Sequence, residues 1–315
     1  MPGESRTPTV CEPQAVRLED AELSSPRPPR YIRKLDLSAR NQSRSCEWER
    51  LAGQASASWY LDPLVAAQKR SLHQELIRRW AGPHLAGRLL KTDVFEEAHG
   101  QDHILFDLFP DSEALGMDVS PESARRALRR CTNPRCRFFA ADVTRLPLRS
   151  GNVDLVVSPS TLDHFSSDAE LRQAVAEIAR VLRPGGVAVI TLDNAENPLY
   201  WLLRWASRRG WMPFRLGATL RLEELCGLLR EAGLAVTDTG ALIHNPRAIS
   251  TLLFLLLRRL LGRWADQPIQ VLLTLFSWLH YLPTRRWTAC FIAARAEKPR
   301  EAGAPGPGGP RSGPL

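Results

Sequence analysis

From Arg88 to Asn194 the chain repeats one unit, a short apolar run followed by a longer stretch whose apolar residues recur at helical spacing. The runs are RLLKTD (88–93), EALGMDVS (113–120), RFFAADV (137–143), NVDLVVSPS (152–160) and GVAVITLDN (186–194). A helix is too long a link for a hairpin, so successive strands must lie parallel, and the crossovers cover both faces of the sheet with helices. The expected fold class is therefore α/β. Ser120-Pro121 has the composition of a helix start, a capping hydroxyl followed by proline at the first helical position. Ser167-Asp168 starts another helix, in which Leu171, Val175, Ile178 and Leu182 share one face, and Pro184-Gly185-Gly186 ends it.

Beyond this region, LRLEELCGLLREAG (220–233) reads as an amphipathic helix closed by Gly233. LAVTDTGALI (234–243) follows as a sixth strand and RRWTACFIAARAEK (285–298) as a seventh. The two are separated by a leucine-rich helical insert, 245–283, whose apolar runs are shorter than the roughly 18–20 residues a membrane-spanning helix needs. Ahead of the sheet, Leu64, Ala67, Leu72, Leu76 and Ile77 predict one or two capping helices within 43–86. Residues 1–42 and the Gly/Pro-rich 299–315 show no sustained periodicity and are expected to be disordered tails. With 315 residues, 44% of them hydrophobic, the chain can bury one large core with small appendages.

The net charge of +8 is carried almost wholly by arginine, since Lys34, Lys69, Lys91 and Lys298 are the only lysines. A basic balance fits nucleic acid, and equally an anionic membrane surface or high-GC codon usage. No run interleaves arginine with aromatics as a base-stacking platform requires, so no nucleic-acid partner is expected. The six cysteines, at 11, 46, 131, 136, 226 and 290, lack the paired spacing of a zinc site and are expected to be reduced thiols, with no metal. The opening MPGESRTPTV has no apolar stretch after a basic start, which predicts no secretory signal and a cytoplasmic location, with peripheral membrane contact open.

In open parallel sheets, ligands bind beyond the carboxyl ends of the strands, where strand order reverses. Asp118 ends the second run, about 20 residues past the first strand-to-helix turn, where an acid can accept from both hydroxyls of a ribose. Capping the next helix is the other role for an aspartate here, although Ser120 is the better cap. Asp142 ends the third run; its carboxylate can accept from the exocyclic amine of adenine while the next backbone N–H meets a ring nitrogen.

GMDVSPESARRAL, FFAADVTRLPLRSGNVDLVVSPSTLDHF and EIARVLRPGGVAVITLDN together make Leu89–Asn194 resemble the class I S-adenosylmethionine (SAM)-dependent methyltransferases, in particular the small-molecule group called type 11. The resemblance implies a Rossmann-like, seven-stranded, mostly parallel sheet with its last strand antiparallel, and SAM as cofactor. It implies cofactor contacts from Thr92, Asp93, Phe95 and Glu96 after the first strand and from Asp118 and Val119 after the second. Asp142 and Val143 after the third, and Ser158 and Thr161 at the fourth, complete the expected set. Asp163-His164 falls where the family borders both methyl group and acceptor, and His164 has the near-neutral pKa of a general base; packing at a loop start is its alternative role.

The departure is the first turn. The family usually has an acidic residue and G-x-G-x-G there, because glycines let the backbone approach the cofactor. This chain has KTDVFEEAHG, with Gly100 the nearest glycine. Either Asp93, Glu96 or Glu97 receives the cofactor's ammonium as a charge partner, or the site is lost. Glu96 and Glu97 also suit the first turn of a helix.

NPLYWLLRWASRRGWMPF (197–214) lies where the family often covers its acceptor; Trp201, Trp205 and Trp211 alternate there with Arg204, Arg208 and Arg209. Such a surface suits a small apolar or lipid-like acceptor or a membrane interface, and equally a helix packed on the sheet with its arginines solvated. Two functions follow as expectations: an active SAM-dependent methyltransferase, or a catalytically silent domain of that shape that binds a partner or membrane surface.

Overall fold

The computed structural model describes residues 31–33, 62–82, 87–100, 107, 108, 110–165, 167–201, 205, 209, 217 and 219–300. The strands are β1 Tyr31–Arg33, β2 Arg88–Lys91, β3 Glu113–Asp118, β4 Cys136–Ala140, β5 Val153–Pro159, β6 Leu182–Asp193, β7 Ala235–Leu242 and β8 Phe291–Glu297. The helices are α1 Pro63–Ala81, α2 Phe95–His99, α3 Pro121–Arg130, α4 Asp168–Val181, α5 Leu222–Glu231, α6 Arg247–Leu261, α7 Asp266–Trp278 and α8 Arg285–Thr288.

All eight strands form one sheet in the order β1-β4-β3-β2-β5-β6-β8-β7. Strands β2 to β7 make the expected six parallel strands, and β8 runs antiparallel to both β6 and β7. The eighth strand is β1, inside the segment read as a tail, which pairs parallel with the edge of β4. Most of 1–61 and all of 301–315 lie outside the described residues.

Each central strand is buried on both faces, so neighbouring residues serve different cores. Leu90, Val156 and Ile190 pack with Leu171, Val175 and Ile178 of α4 and with Leu225 and Leu229 of α5. Their neighbours Leu89, Leu155 and Val189 pack on the other face with Ile77 and Trp80 of α1 and Ala127 of α3. Ser120 and Ser167 cap α3 and α4 as their sequence predicts, accepting from the backbone N–H of Ser123 and Glu170.

The helix ending at 184–186 is corrected. Helix α4 stops at Val181, and Leu182 opens β6 opposite Val153. The last carbonyls of α4 are taken by Gly151 and Asn152 N–H, so the chain passes from helix to strand without a glycine turn, and Gly185 sits within the irregular start of the strand at φ 75°. The seventh strand is likewise shorter than its apolar run, because Arg285–Thr288 forms a helical turn first. The insert is the pair α6–α7; it packs Phe254, Ile269 and Leu273 against Val65 of α1.

One glycine in the sheet explains the glycine-poor turn beside it. A Cβ on Gly116 of β3 would lie 2.8 Å from ring carbons of Phe138 and 2.8 Å from Cγ1 of Val94. Val94 follows β2 and is fully buried, so its side chain occupies the volume that Gly116 leaves vacant. Gly116→Ala is therefore expected to cost about 1–3 kcal/mol by overpacking. Urea denaturation measures this, and a variant as stable as the parent would show that Val94 has room to move.

Candidate functional site: a cleft at the carboxyl edge of the sheet

Successive strands from β2 to β4 step one way across the sheet, whereas β5 returns to the other side of β2. The crossover connections diverge at this point and leave a crevice beyond the strand ends. The crevice holds a small cavity of about 60 Å³. Thr92, Asp93 and Phe95 line it after β2, Asp118 and Val119 at β3, Asp142 and Val143 after β4, and Thr161 and His164 after β5.

The acids are held before any ligand arrives. Asp118 accepts from Ser120 N–H at 2.8 Å and from Val94 N–H at 3.4 Å, which ties the turn after β2 to the end of β3. Burial, and then the neighbouring Asp93, push its carboxyl up to about 8. Asp142 Oδ1 accepts from both the backbone N–H and the hydroxyl of Thr144, each at 2.7 Å. Its Oδ2 is buried without a hydrogen-bond partner among the described residues. A buried acceptor left in this state costs free energy until a donor reaches it.

Lysine replaces glycine in shaping the turn. Lys91 is 2% exposed, and its ammonium donates to Glu97 Oε2 at 2.6 Å and to the Asp93 carbonyl at 2.7 Å. Burial alone would lower the ammonium, but Glu97 and then Asp93 outweigh it and its pKa is raised. Glu97 is also pushed up, to about 7, by burial that Lys91 only partly offsets. The two shifts act in opposite senses on the pair, and the short contact together with the second acceptor at Asp93 favours the charged form. Thr92 Oγ1 lies 2.9 Å from Ser158 Oγ and 2.8 Å from Thr161 Oγ1, joining the ends of β2 and β5. Asp93 Oδ1 accepts from Phe95 N–H at 2.8 Å and starts α2 at once.

After β5, Ser160 takes φ 52°, unusual for a residue with a side chain, and turns the chain back over the cleft as the short helical turn Leu162–His164. His164 stands 40% exposed at the cleft, with Nε2 3.7 Å from Oδ1 of the buried Asp163. Gly217, beyond the 197–214 segment expected to cover the acceptor, presses on the backbone of this turn; a side chain there would overlap the Asp163 carbonyl.

Three expected residues stand outside the lining. Glu96 turns to Lys69 of α1, 3.2 Å away. Ser158 is fully buried beneath the cleft as a partner of Thr92. Asp163 lies behind His164. Of the three carboxylates considered for an ammonium, Asp93 alone borders the cleft. Sequence reasoning missed Met117, Ala141 and Phe165, which line it beside Asp118, Asp142 and His164. Being their chain neighbours at strand ends was the available signal. Arg204, Arg208 and Trp211 lie outside the described residues.

Comparison with known proteins agrees with this geometry. Residues 99–190 match the family model described as a methyltransferase domain. A Mycolicibacterium smegmatis protein named "Probable S-adenosylmethionine-dependent methyltransferase" is 30% identical over 168 residues, 51% of this chain and 59% of that one. A tRNA (carboxymethyluridine(34)-5-O)-methyltransferase of Arabidopsis thaliana is 30% identical over 90 residues, 29% of this chain and 21% of that one. The chain thus spans less than two thirds of the length of these curated relatives. In the complex between the Haloferax volcanii Trm112 methyltransferase activator and a methyltransferase, a chain superposes with TM-score 0.53 at 15% identity, covering 82% of this chain and 98% of that one. The likeness to a methyltransferase domain thus covers residues 99–190, and the Haloferax volcanii chain shares the fold.

The role given to Lys91 has a direct test. Lys91→Met leaves Glu97 buried without its partner and is expected to cost about 3–5 kcal/mol, whereas Lys91→Met with Glu97→Leu removes both charges and is expected to recover most of it. Denaturation of both variants decides; equal losses would show that the pair does not hold the turn.

Proposed function

We propose that the chain transfers a methyl group from SAM to a small apolar or lipid-like acceptor, in a cytoplasmic setting with contact at a membrane periphery. What carries the reading is Asp142: a buried, half-satisfied carboxylate in a cleft that also presents Asp93, Asp118 and His164. A turn that closed off the strand ends would have favoured a silent domain; a small cavity of about 60 Å³ bordered by these four residues supports the enzyme reading.

The residues fit the cofactor. Asp118 suits the ribose hydroxyls, and the orphaned Asp142 oxygen suits the adenine amine with Val143 beside it. Asp93 suits the ammonium group, taking the part of the family's acidic residue from a position two residues after β2. Thr92, Phe95, Val119 and Thr161 supply the remaining walls. SAM, when bound there, supplies an electrophilic methyl group on sulfur. Transfer is an in-line displacement, so the chain's main task is alignment. His164 takes the proton that a hydroxyl or ammonium acceptor loses, with the buried Asp163 carboxylate 3.7 Å from its Nε2 as a neighbouring charge.

The acceptor class rests on surface chemistry. Trp201 is 74% exposed, and Trp205 is covered by the Arg209 guanidinium at 5.0 Å from the ring centroid. An apolar group with an anionic end suits that pairing. A tRNA acceptor, named in the Arabidopsis relative, belongs among the substrates tested against it.

Calorimetric titration with S-adenosylhomocysteine tests the cofactor reading. Asp118→Ala is expected to abolish binding, and unchanged affinity would end the ribose assignment. The pH dependence has a definite sign. The ionised carboxylate is the stronger acceptor for the ribose, so affinity should rise by up to about tenfold per pH unit towards pH 8 and then level off. In the free protein the raised pKa works the other way: the Asp118 contribution to stability, full below about pH 4, is lost as pH rises through about 8, and Asp118→Asn should remove that fall. His164→Ala is expected to lower kcat by about 10²–10⁴-fold while leaving cofactor affinity nearly unchanged, once an acceptor is found.

A further inference from the structure

Helix α6 presents two unlike sides. Phe254 is 1% exposed and packs with Ile269, Leu273 and Val65, with Leu253 and Leu257 beside it. On the other side, Ile249, Leu252, Leu256 and Leu260 follow one another at helical spacing and stand 51–70% exposed, with Leu255 next to them. Trp264 before α7, Trp278 at its end, Tyr281 in the turn after it and Trp287 in α8 are exposed as well, Tyr281 at 84%. A run of this size on one insert marks an interaction surface.

Charge identifies the partner. Residues 246–288 contain six arginines and one acidic residue, Asp266. Arg258 faces inward and is bound by Asp62 and Asp266. Arg259 and Arg263 are exposed with no ion pair among the described residues; Arg259 adjoins Leu256 and Leu260, and Arg263 lies over the Trp264 ring at 5.1 Å. Unpaired arginines beside exposed leucines, flanked by tryptophan and tyrosine, are the chemistry of a helix lying in an anionic lipid interface. At 15 residues, α6 is about 22 Å long, short of the roughly 30 Å hydrocarbon core, and no described helix is long and apolar enough to cross a membrane. A second copy of the chain suits the face less well, because a two-fold contact would bring the same arginines of both copies into one dry interface.

We propose that the α6–α7 hairpin docks the chain flat on an anionic bilayer through the Leu252–Leu256–Leu260 stripe, with Arg259 and Arg263 at the headgroups. The hairpin leaves the carboxyl end of β7 and returns to the start of β8, which is antiparallel, so it stands on the edge of the sheet where the cleft opens. Docking would bring that edge to the lipid. The inference deepens the proposed function by naming where a lipid-like acceptor is met, and rests on that function for this step alone.

Flotation of the full chain tests it, with vesicles of phosphatidylcholine alone and with roughly one quarter phosphatidylglycerol. The chain is expected to float with the anionic vesicles at least about tenfold better than with the neutral ones, less so in high salt. Leu252→Gln/Leu256→Gln/Leu260→Gln should lose about tenfold or more of that binding, and Arg259→Gln/Arg263→Gln should lose the preference for anionic lipid. A folded chain that floats with neither vesicle, or a stable dimer that the leucine variant dissociates, would overturn the proposal. Titration of the same variants with S-adenosylhomocysteine separates the two readings: lost flotation with intact cofactor binding removes the docking alone, and flotation without cofactor binding removes the methyltransferase reading alone.

Discussion

Lys91 lies buried at the end of β2 with its ammonium between the Glu97 carboxylate and the Asp93 carbonyl, and this contact sets the path by which the chain leaves the sheet. A buried ion pair gains little over an apolar pair of equal volume, yet either charge alone is costly. Such a pair disfavours every alternative path of the turn, because any other would leave one charge dry and unmatched. Glycines at such a turn give the backbone freedom to come close to a ligand. Here the turn is fixed instead by charge, by the hydroxyls of Thr92, Ser158 and Thr161, and by Val94 seated over Gly116.

That fixed turn determines the electrostatics of the cleft. Lys91 is buried and its charge is matched by Glu97, so it offsets Asp93 and Asp118 at the cleft wall only in part. Asp118 already commits two acceptor sites to Val94 and Ser120, and burial, then the nearby Asp93, raise its pKa. A ligand that carries positive charge and several donors relieves both effects at once, by matching Asp93 and by stabilising the ionised form of Asp118. The same cleft would be a poor host for a pyrophosphate, whose charge has the wrong sign for three carboxylates.

The sheet was legible in the sequence because its strands are buried on both faces and read as continuous apolar runs closed by turn residues. Strand ends carrying Asp118 and Asp142 could be placed for the same reason, since a strand's end fixes where the next side chain points. Legibility failed where tertiary pairing overrides local signal. Leu182 keeps the helical spacing of α4 but pairs with Val153 as strand, and Tyr31–Arg33 sits in a sequence with no strand period and gains its structure from the edge of β4. Gly116 was invisible as a partner of the glycine-poor turn, because the glycine that accommodates Val94 belongs to the neighbouring strand and lies 22 residues away in the chain. Glu96 and Glu97, adjacent in sequence, diverge to Lys69 and Lys91, and only the packing of α1 over the turn separates them.

The antiparallel β8 links the two unusual parts of this protein. A parallel last strand would need its connection to cross the sheet from one edge to the other. An antiparallel one lets the connection leave β7 and enter β8 at the same edge, so everything inserted between them accumulates at the carboxyl end. That is also the edge to which strand order directs ligands. An insert at this point can grow in length, apolar surface and charge without disturbing the core, because its own contacts run to α1 through Val65, Phe254 and Ile269. The cleft can therefore keep its acids while the insert changes the surface beside it.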